Sequence, residues 1–145
     1  MKARNASEQG LMRKSGIIAA RALKRALESI KVGVSELEVD KAVEEEIIKL
    51  GGELSYKTVP GYKYATCITV NEQVVHGIPT DRKFENGDVV SVDLAVMYKG
   101  WHTDCAWSVL VREKGEGERG KDFKEKEKFL QVGEAALWLG IRQAL

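Results

Sequence analysis

The spacing of apolar residues predicts two helices near the start of the chain. Small or apolar side chains recur every three or four positions through residues 8–30, which is the period of an amphipathic helix. Asn5 or Ser7 can cap its start, and the sequence alone does not choose between them. Ser35 and Glu38 form a capping-box pattern at the start of the second helix. Its apolar stripe consists of Val39, Val43, Ile47 and Leu50, and Gly51-Gly52 ends it.

The pattern then changes to β-branched and aromatic residues, which predicts antiparallel strands. The predicted strands are residues 64–70, 74–75, 89–97 and 101–111, with residues 98–100 as a hairpin turn in which Gly100 takes positive φ. The charged residues 112–128 predict a solvated loop followed by the exposed face of a helix. That helix reaches Leu145 without a stop signal, so we expect the chain to be cut there.

Composition narrows the class of protein. The 145 residues fit one domain, and 23 Lys and Arg against 22 Asp and Glu leave a net charge of +1, with no basic stripe that would indicate a nucleic-acid partner. The 43% hydrophobic content supports a folded core. No apolar run is long enough for a membrane span and no signal peptide is present, so we expect a cytoplasmic protein. Cys67 and Cys105 are expected to be buried, reduced thiols.

Two aspartates lie where strands disfavour them. Asp93 is in the middle of VVSVDLAVM, where neither face looks solvated, and a buried lone carboxylate is costly unless it is paired, protonated or bound to a cation. Asp104 lies on the partner strand of the same hairpin. If the hairpin loop has two residues, the residue numbers of any two directly opposed positions add to an odd total. The sum of 93 and 104 is also odd. Both carboxylates should therefore project from one face, either opposite each other or one diagonal step apart.

Like charges this close predict a cation between them, because they repel each other and raise at least one pKa. Neither strand places a Lys or Arg on that face, and oxygen ligands suit hard or borderline divalent ions. Two alternatives stay open: one aspartate faces solvent at a sheet edge, or the two share a proton. His102 shares the face of Asp104 and is either a ligand or solvated. His76, before Gly-Ile-Pro at the end of a predicted strand, is either structural or lines a cleft.

Three segments carry a family resemblance. They are SGIIAARALKRAL in the first helix, VNEQVVHGIP within residues 62–79, and ENGDVVSVDLAVMYKGWHTDC within residues 85–111. Together they strongly resemble the type I methionine aminopeptidases, and VHGIP separates type I members from type II. The creatine-hydrolase and proline-dipeptidase groups of the same fold fit less well.

The resemblance implies the pita-bread (creatinase/aminopeptidase) fold, which is α+β. Residues 1–145 would be the N-terminal half of a single catalytic domain, with two helices, a curved antiparallel sheet that contains a metal-site hairpin, and a third helix. The resemblance also implies two divalent metal ions, which could be cobalt, manganese, iron or zinc. Asp93 matches the bidentate metal ligand, and Asp104 matches the ligand that bridges both metals.

The resemblance assigns three further residues. His76 matches a catalytic, substrate-contacting histidine that helps to stabilise the tetrahedral intermediate, while Tyr62 and Cys67 match residues that line the methionine pocket. Thr103 and Val59 depart from the family pattern. We expect Thr103 to crowd the backbone near the site and Val59 to widen or reshape the pocket.

The implied function is metal-dependent removal of the N-terminal methionine from nascent polypeptides, close to the ribosome. The first peptide bond would be hydrolysed by a metal-bridging hydroxide. The family's remaining ligands, one His and two Glu, belong to the second half of the fold, so we expect this chain alone to be a poor enzyme. The alternative is a catalytically incomplete half-fold that self-associates as a metal-linked dimer or acts as a binding module.

Overall fold

The computed structural model describes residues 5–113 and 121–144, which form three helices and a four-stranded sheet. In chain order these are α1 (Ala6–Ser29), α2 (Glu36–Lys49), β1 (Glu53–Leu54), a 3-10 helix (Ser55–Thr58), β2 (Thr66–Val70), β3 (Val89–Tyr98), β4 (Trp101–Leu110) and α3 (Lys121–Ala144). This order confirms the predicted α+β arrangement. Much of the predicted charged loop and residue Leu145 lie outside the described residues. None of the described helices is long and apolar enough to cross a membrane.

Capping boxes begin the first two helices. The Asn5 side chain accepts a hydrogen bond from the Glu8 backbone N–H at 2.9 Å, and Glu8 accepts one from the Asn5 backbone N–H at 3.2 Å. Asn5, and not Ser7, is therefore the N-cap of α1. The predicted capping box of Ser35 and Glu38 is confirmed at the start of α2.

β3 is the central strand of the sheet, and all its pairings are antiparallel. It pairs with β4 from Val89 to Tyr98, which is its whole length. A strand has only two edges, so β1 and β2 must share the other edge of β3. β1 consists of only two residues, and it brings the 3-10 helix that follows it to the end of β3.

The two faces of the sheet have different environments. Alternate residues of β3 are completely buried in one cluster with residues of α1 and α2: Val90, Val92, Leu94 and Val96. Of the residues between them, Ser91 and Asp93 are half-buried and Ala95 is buried. The expectation that neither face is solvated is confirmed for β3, since none of its residues from Val90 to Val96 is exposed, although α1 and α2 contribute to the buried cluster on one face only.

A buried carboxylate in α2 fixes the start of β2. Asp40 Oδ1 accepts hydrogen bonds from the backbone N–H groups of Ala65 and Thr66, at 3.0 and 2.8 Å, and from the Thr66 hydroxyl at 2.7 Å. Burial raises the pKa of Asp40, and the bonds from Thr66 and Ala65 oppose that shift. The three donors therefore stabilise the charged form in a buried position, and they hold β2, which carries Cys67, against α2.

The predicted strand at residues 74–75 is wrong. Val74 and Val75 are 90% and 63% exposed and lie in a loop. The loop returns along the edge of β2 that β3 leaves free, where the Ile68 N–H donates to the Gly77 carbonyl at 2.9 Å. A Cβ at Gly77 would lie 1.9 Å from the Ile68 carbonyl oxygen, so only glycine fits this approach.

The β3–β4 hairpin closes through Lys99 and Gly100, since Tyr98 pairs directly with Trp101. Both loop residues have positive φ, 50° and 79°, which is the pattern of a type I′ turn. The prediction of positive φ at Gly100 is confirmed. This turn sets the register of the whole hairpin.

Thr103 lies on the helix-covered face, and the expectation that it crowds the site is wrong. It pairs with the buried Val96 and therefore points away from the face that carries Asp104. The buried Ser15 hydroxyl of α1 lies 2.8 Å from the Thr103 hydroxyl and donates to the Val96 carbonyl at 3.0 Å. Thr103 thus joins β4 to α1 by a hydrogen bond.

We predict that Ser15 and Thr103 stabilise the chain as a pair. Ser15→Ala and Thr103→Val should each lower the free energy of unfolding, with a coupling of about 1 kcal/mol, because they remove the same hydrogen bond. A double-mutant cycle measured by urea unfolding tests this. Additive effects of the two substitutions would contradict the pairing.

Candidate metal centre

Asp93 and Asp104 project from the same face of the hairpin, one diagonal step apart. Asp93 pairs with Ala106, and Asp104 pairs with Ala95. Directly paired residues share a face, and positions two apart on one strand share it too, so both carboxylates lie on the face away from the α1 and α2 core. The expectation derived from the numbering is confirmed, and the diagonal form of it is the correct one.

The two carboxyl groups interact directly. Asp93 is half-buried and Asp104 is exposed. Partial burial of the Asp104 carboxyl, the charge of Asp93 and a hydrogen bond between the two side chains raise the pKa of Asp104 from 3.8 to about 6. Only below about pH 6 does Asp104 therefore hold a proton that the pair can share when no cation is bound, which is one of the alternatives that the sequence left open.

Cys67 and Tyr62 form one side of this site. Cys67 is buried and pairs directly with Asp93, so its side chain lies on the same face. Burial raises the pKa of Cys67, and the charges of Asp93 and Asp104 raise it further, which favours the uncharged thiol. The Tyr62 hydroxyl donates to the Thr66 carbonyl at 2.6 Å and lies 3.3 Å from Cys67 Sγ. The expectation that both cysteines are reduced and buried is confirmed for Cys67, whereas the free Cys105 is only half-buried.

Tyr56, which the sequence analysis did not single out, also belongs to the site. Its ring meets the Tyr62 ring edge-on, with centroids 5.8 Å apart. Burial raises the pKa of Tyr56, and a hydrogen bond to Asp93 and the charges of Asp93 and Asp104 raise it further. Tyr56 therefore keeps its proton, and its hydroxyl can donate a hydrogen bond to the Asp93 carboxylate. No periodic signal marks this residue, because it follows a strand of two residues.

His76 lies in a loop beside β2, and no hydrogen bond joins it to Asp93, Asp104, Tyr56 or Cys67. It is exposed and has a positive φ of 55°, in the loop that packs along the free edge of β2. Histidine is one of the few residue types that is enriched in this backbone region. Its role at the site stays a prediction. Val59 is 53% exposed, and its predicted effect on the pocket likewise remains a prediction.

His102 makes a specific contact that does not involve the aspartates. Its Nδ1 lies 2.7 Å from the hydroxyl of Ser55, the first residue of the 3-10 helix. Within residues 5–113 and 121–144, no group of three or more His, Cys, Asp or Glu side chains could hold a metal ion. His102 therefore does not complete a three-residue metal cluster with Asp93 and Asp104.

The chemistry of the two aspartates fits a divalent cation. They supply oxygen donors on one open face, and the charge of Asp93 adds to partial burial in raising the pKa of Asp104. A bound cation would relieve the repulsion between the two charges and would displace the proton that Asp104 holds below about pH 6. These two carboxylates can act as ligands, but they are an incomplete set, since stable sites for such ions use more donors.

Comparisons with known proteins bear on this geometry. Residues 10–144 match the metallopeptidase family M24. The chain is 35% identical to methionine aminopeptidase 1 of Bacillus subtilis over 137 residues, which are 94% of this chain and 52% of that protein. It is 35% identical to the methionine aminopeptidase of Clostridium perfringens over 141 residues, or 97% of this chain and 53% of that protein. The chain thus spans about half the length of these relatives.

Solved structures show the same fold. The methionine aminopeptidase of Thermotoga maritima superposes with a TM-score of 0.74 at 38% identity, over 80% of this chain and 47% of that one. The methionine aminopeptidase of Rickettsia prowazekii gives a TM-score of 0.83 over 95% of this chain and 52% of that one, and at 23% identity this likeness concerns the fold alone. The predicted pita-bread fold is confirmed by these neighbours.

We predict that Asp104→Asn stabilises the metal-free chain at neutral pH. A carboxyl whose pKa is raised on folding opposes folding once it ionises in the unfolded chain, so Asp104 should lower stability progressively between about pH 4 and pH 6. Relative to the original chain, the variant should gain about 1 kcal/mol at pH 7 and little at pH 3.5.

Chemical unfolding at the two pH values measures this difference. Asp81→Asn, at an exposed loop position, removes the same charge and serves as the matched control. An equal gain in both variants, or a gain in Asp104→Asn that is independent of pH, would contradict the interaction between the two aspartates.

Proposed function

Since the chain belongs to metallopeptidase family M24, we propose that it supplies the first part of the active site of a methionine aminopeptidase. Asp93 and Asp104 would be ligands of two divalent metal ions, which could be cobalt, manganese, iron or zinc. The substrate would be the N-terminal methionine of nascent polypeptides, cleaved at the first peptide bond in the cytoplasm and near the ribosome. The names of the relatives from Bacillus subtilis and Clostridium perfringens support the reaction.

The observation that carries this proposal is the diagonal placement of two carboxylates on the open face of the hairpin. The register pairs Asp93 with Ala106 and Asp104 with Ala95, which places the two carboxylates near each other, and burial together with the charge of Asp93 raises the pKa of Asp104. A divalent ion held there would supply a hydroxide nucleophile at neutral pH and would polarise the scissile carbonyl. The carboxylates contribute the negative charge and the oxygen ligands that hold such an ion.

The other residues of the face would bind the substrate. Cys67 is buried, uncharged and polarizable, and the edge-on rings of Tyr56 and Tyr62 lie next to it. Such a wall of sulfur and aromatic groups suits the thioether of methionine. His76 would contact the substrate from the neighbouring loop and help to stabilise the tetrahedral intermediate, as an exposed imidazole can do by donating a proton or a hydrogen bond.

We predict that the chain binds Mn²⁺ through both aspartates. Asp93→Asn and Asp104→Asn should each weaken Mn²⁺ binding at least about tenfold, because each removes a charged ligand from a set of only two. Isothermal titration with MnCl₂ at pH 7.5 measures the affinity, and Asp81→Asn is the matched control. Equal affinities in all four proteins would contradict the proposed ligands.

We also predict that the chain by itself does not detectably hydrolyse a Met-Ala-Ser peptide in the presence of Mn²⁺ or Co²⁺. The described residues contain no cluster of three metal ligands, so neither ion would be held firmly enough to act on the peptide. Release of free methionine, followed by chromatography, provides the readout. Robust turnover that Asp93→Asn abolishes would overturn this expectation and would show the activity directly.

A second candidate function is self-association as a metal-linked dimer or binding module, and the surface of α3 favours it. Several large apolar side chains of this helix are between 39% and 73% exposed: Phe129, Val132, Leu137, Trp138, Leu139 and Ile141. A cavity of about 640 Å³ lies between α3 and the end of β4. Among the described residues, no strand pairs with the outer edge of β4. A second copy of the chain, with the same apolar surface and the same free edge, would cover both.

Sedimentation of the chain with and without Mn²⁺ tests this second candidate. A dimer that requires Mn²⁺ and is lost in Asp93→Asn is the expected outcome for a metal-linked pair. A dimer that forms without metal and is lost in Trp138→Glu would assign the contact to α3 alone. A monomer under all conditions would exclude self-association.

A further inference from the structure

The 3-10 helix Ser55–Thr58 brings Tyr56 to the site, and this short element has few bonds of its own. Its N-cap, Leu54, makes no side-chain capping bond. Within it the Thr58 hydroxyl donates to the Ser55 carbonyl at 2.6 Å, and the Val59 N–H donates to the Tyr56 carbonyl at 2.9 Å. A single 3-10 turn is only marginally stable, so its position depends on contacts with its surroundings.

Besides the contacts of Tyr56 itself, two side-chain contacts join this turn to the rest of the fold. On one side the Lys57 ammonium donates to Glu44 of α2 at 2.7 Å, in a pair whose side chains are 45% and 32% exposed. On the other side the Ser55 hydroxyl lies 2.7 Å from Nδ1 of His102 on β4, and Ser55 itself is only 8% exposed. An exposed ion pair contributes little to stability. The hydrogen bond between Ser55 and His102 therefore stabilises the position of the 3-10 turn more than the ion pair between Lys57 and Glu44 does.

The hydrogen bond between Ser55 and His102 lies on the face of the sheet that carries the two aspartates. His102 is two residues before Asp104 on β4, so both side chains project from one face. Tyr56 is next to Ser55 in the chain, and its ring contacts Tyr62, whose hydroxyl contacts Cys67, the direct partner of Asp93. A chain of contacts thus leads from His102 to the neighbourhood of Asp93.

We propose that His102 is a positioning residue of this site: its hydrogen bond to Ser55 fixes the 3-10 turn and so holds the Tyr56 hydroxyl beside Asp93. His102 does this without touching the metal or the substrate. A fixed Tyr56 orients the Asp93 carboxylate and forms the aromatic wall next to Cys67. The importance of this wall for catalysis rests on the function proposed above, but the effect of His102 on Tyr56 does not.

The first test observes Tyr56 in the metal-free chain by NMR. The tyrosine rings are labelled with ¹³C, Tyr56 is assigned by its loss in Tyr56→Phe, and Asp93→Asn is used to shift its resonance. We expect this shift to be lost when His102→Ala or Ser55→Ala is also present. The shift should persist with His102→Asn, whose side-chain amide occupies the place of Nδ1. It should also persist with the matched control Glu44→Gln, which weakens the ion pair between Lys57 and Glu44.

Two results would overturn the proposal. One is a Tyr56 resonance that responds to Asp93→Asn equally in His102→Ala and in the original chain. The other is a response that His102→Asn loses as completely as His102→Ala, since histidine would then act through its size and not through its hydrogen bond. If His102→Ala does not unfold cooperatively, Ser55→Ala decides between the outcomes, because it removes the same bond and adds no bulk.

The second test measures Mn²⁺ affinity in the same variants. We expect His102→Ala to weaken binding about tenfold, as residues that orient metal ligands commonly do, and His102→Asn to weaken it less than about threefold. The weakening should vanish in the Tyr56→Phe background, because His102 acts through Tyr56. Additive losses would contradict that route. If the original chain binds no Mn²⁺, the proposed metal site fails, and the NMR result still decides the role of His102.

Discussion

The register of the β3–β4 hairpin is the constraint on which the candidate site depends. A two-residue turn at Lys99 and Gly100, with both residues at positive φ, allows only one alignment of the two strands. That alignment places Asp93 and Asp104 one diagonal step apart on one face. A slip of one residue would turn the side chains of one strand to the opposite face and would bury a carboxylate against the core of α1 and α2. The turn and the buried alternate valines of β3 therefore secure the same geometry independently.

The two faces of the sheet have different roles: one stabilises the fold and the other carries the residues of the candidate site. The helix-covered face carries the buried apolar residues, the Asp40 anchor for β2 and the hydrogen bond between Ser15 and Thr103. The other face carries the aspartates, whose charges repel. Aligned carboxylates of this kind lower the stability of the metal-free fold, and the packing on the opposite face has to offset that loss. Such a local conflict within an otherwise consistent structure is typical of a functional site.

Much of the fold and the central pair of the site could be predicted because they follow from short-range rules. Ser35 and Glu38 marked a helix start, alternating residues marked β3, and numbering alone placed Asp93 and Asp104 on one face. The errors arose where tertiary contacts decide. Val74 and Val75 have strand propensity, but the Gly77 carbonyl pairs with β2 instead, and Thr103 finds its partner in a helix nearly ninety positions away.

Tyr56 had no signal in the sequence, and the sequence placed His102 on the face of Asp104 without indicating its contact with Ser55. β1 is too short to show alternation, and a 3-10 turn has no periodic pattern, so the contact between Ser55 and His102 depends entirely on how β1 meets β3. The central claim is that Asp93 and Asp104 jointly hold a divalent cation. Anomalous X-ray diffraction from a crystal of the chain soaked in MnCl₂ tests it most directly. The account predicts a manganese peak coordinated by both carboxylates, and manganese bound only at other acidic side chains would contradict it.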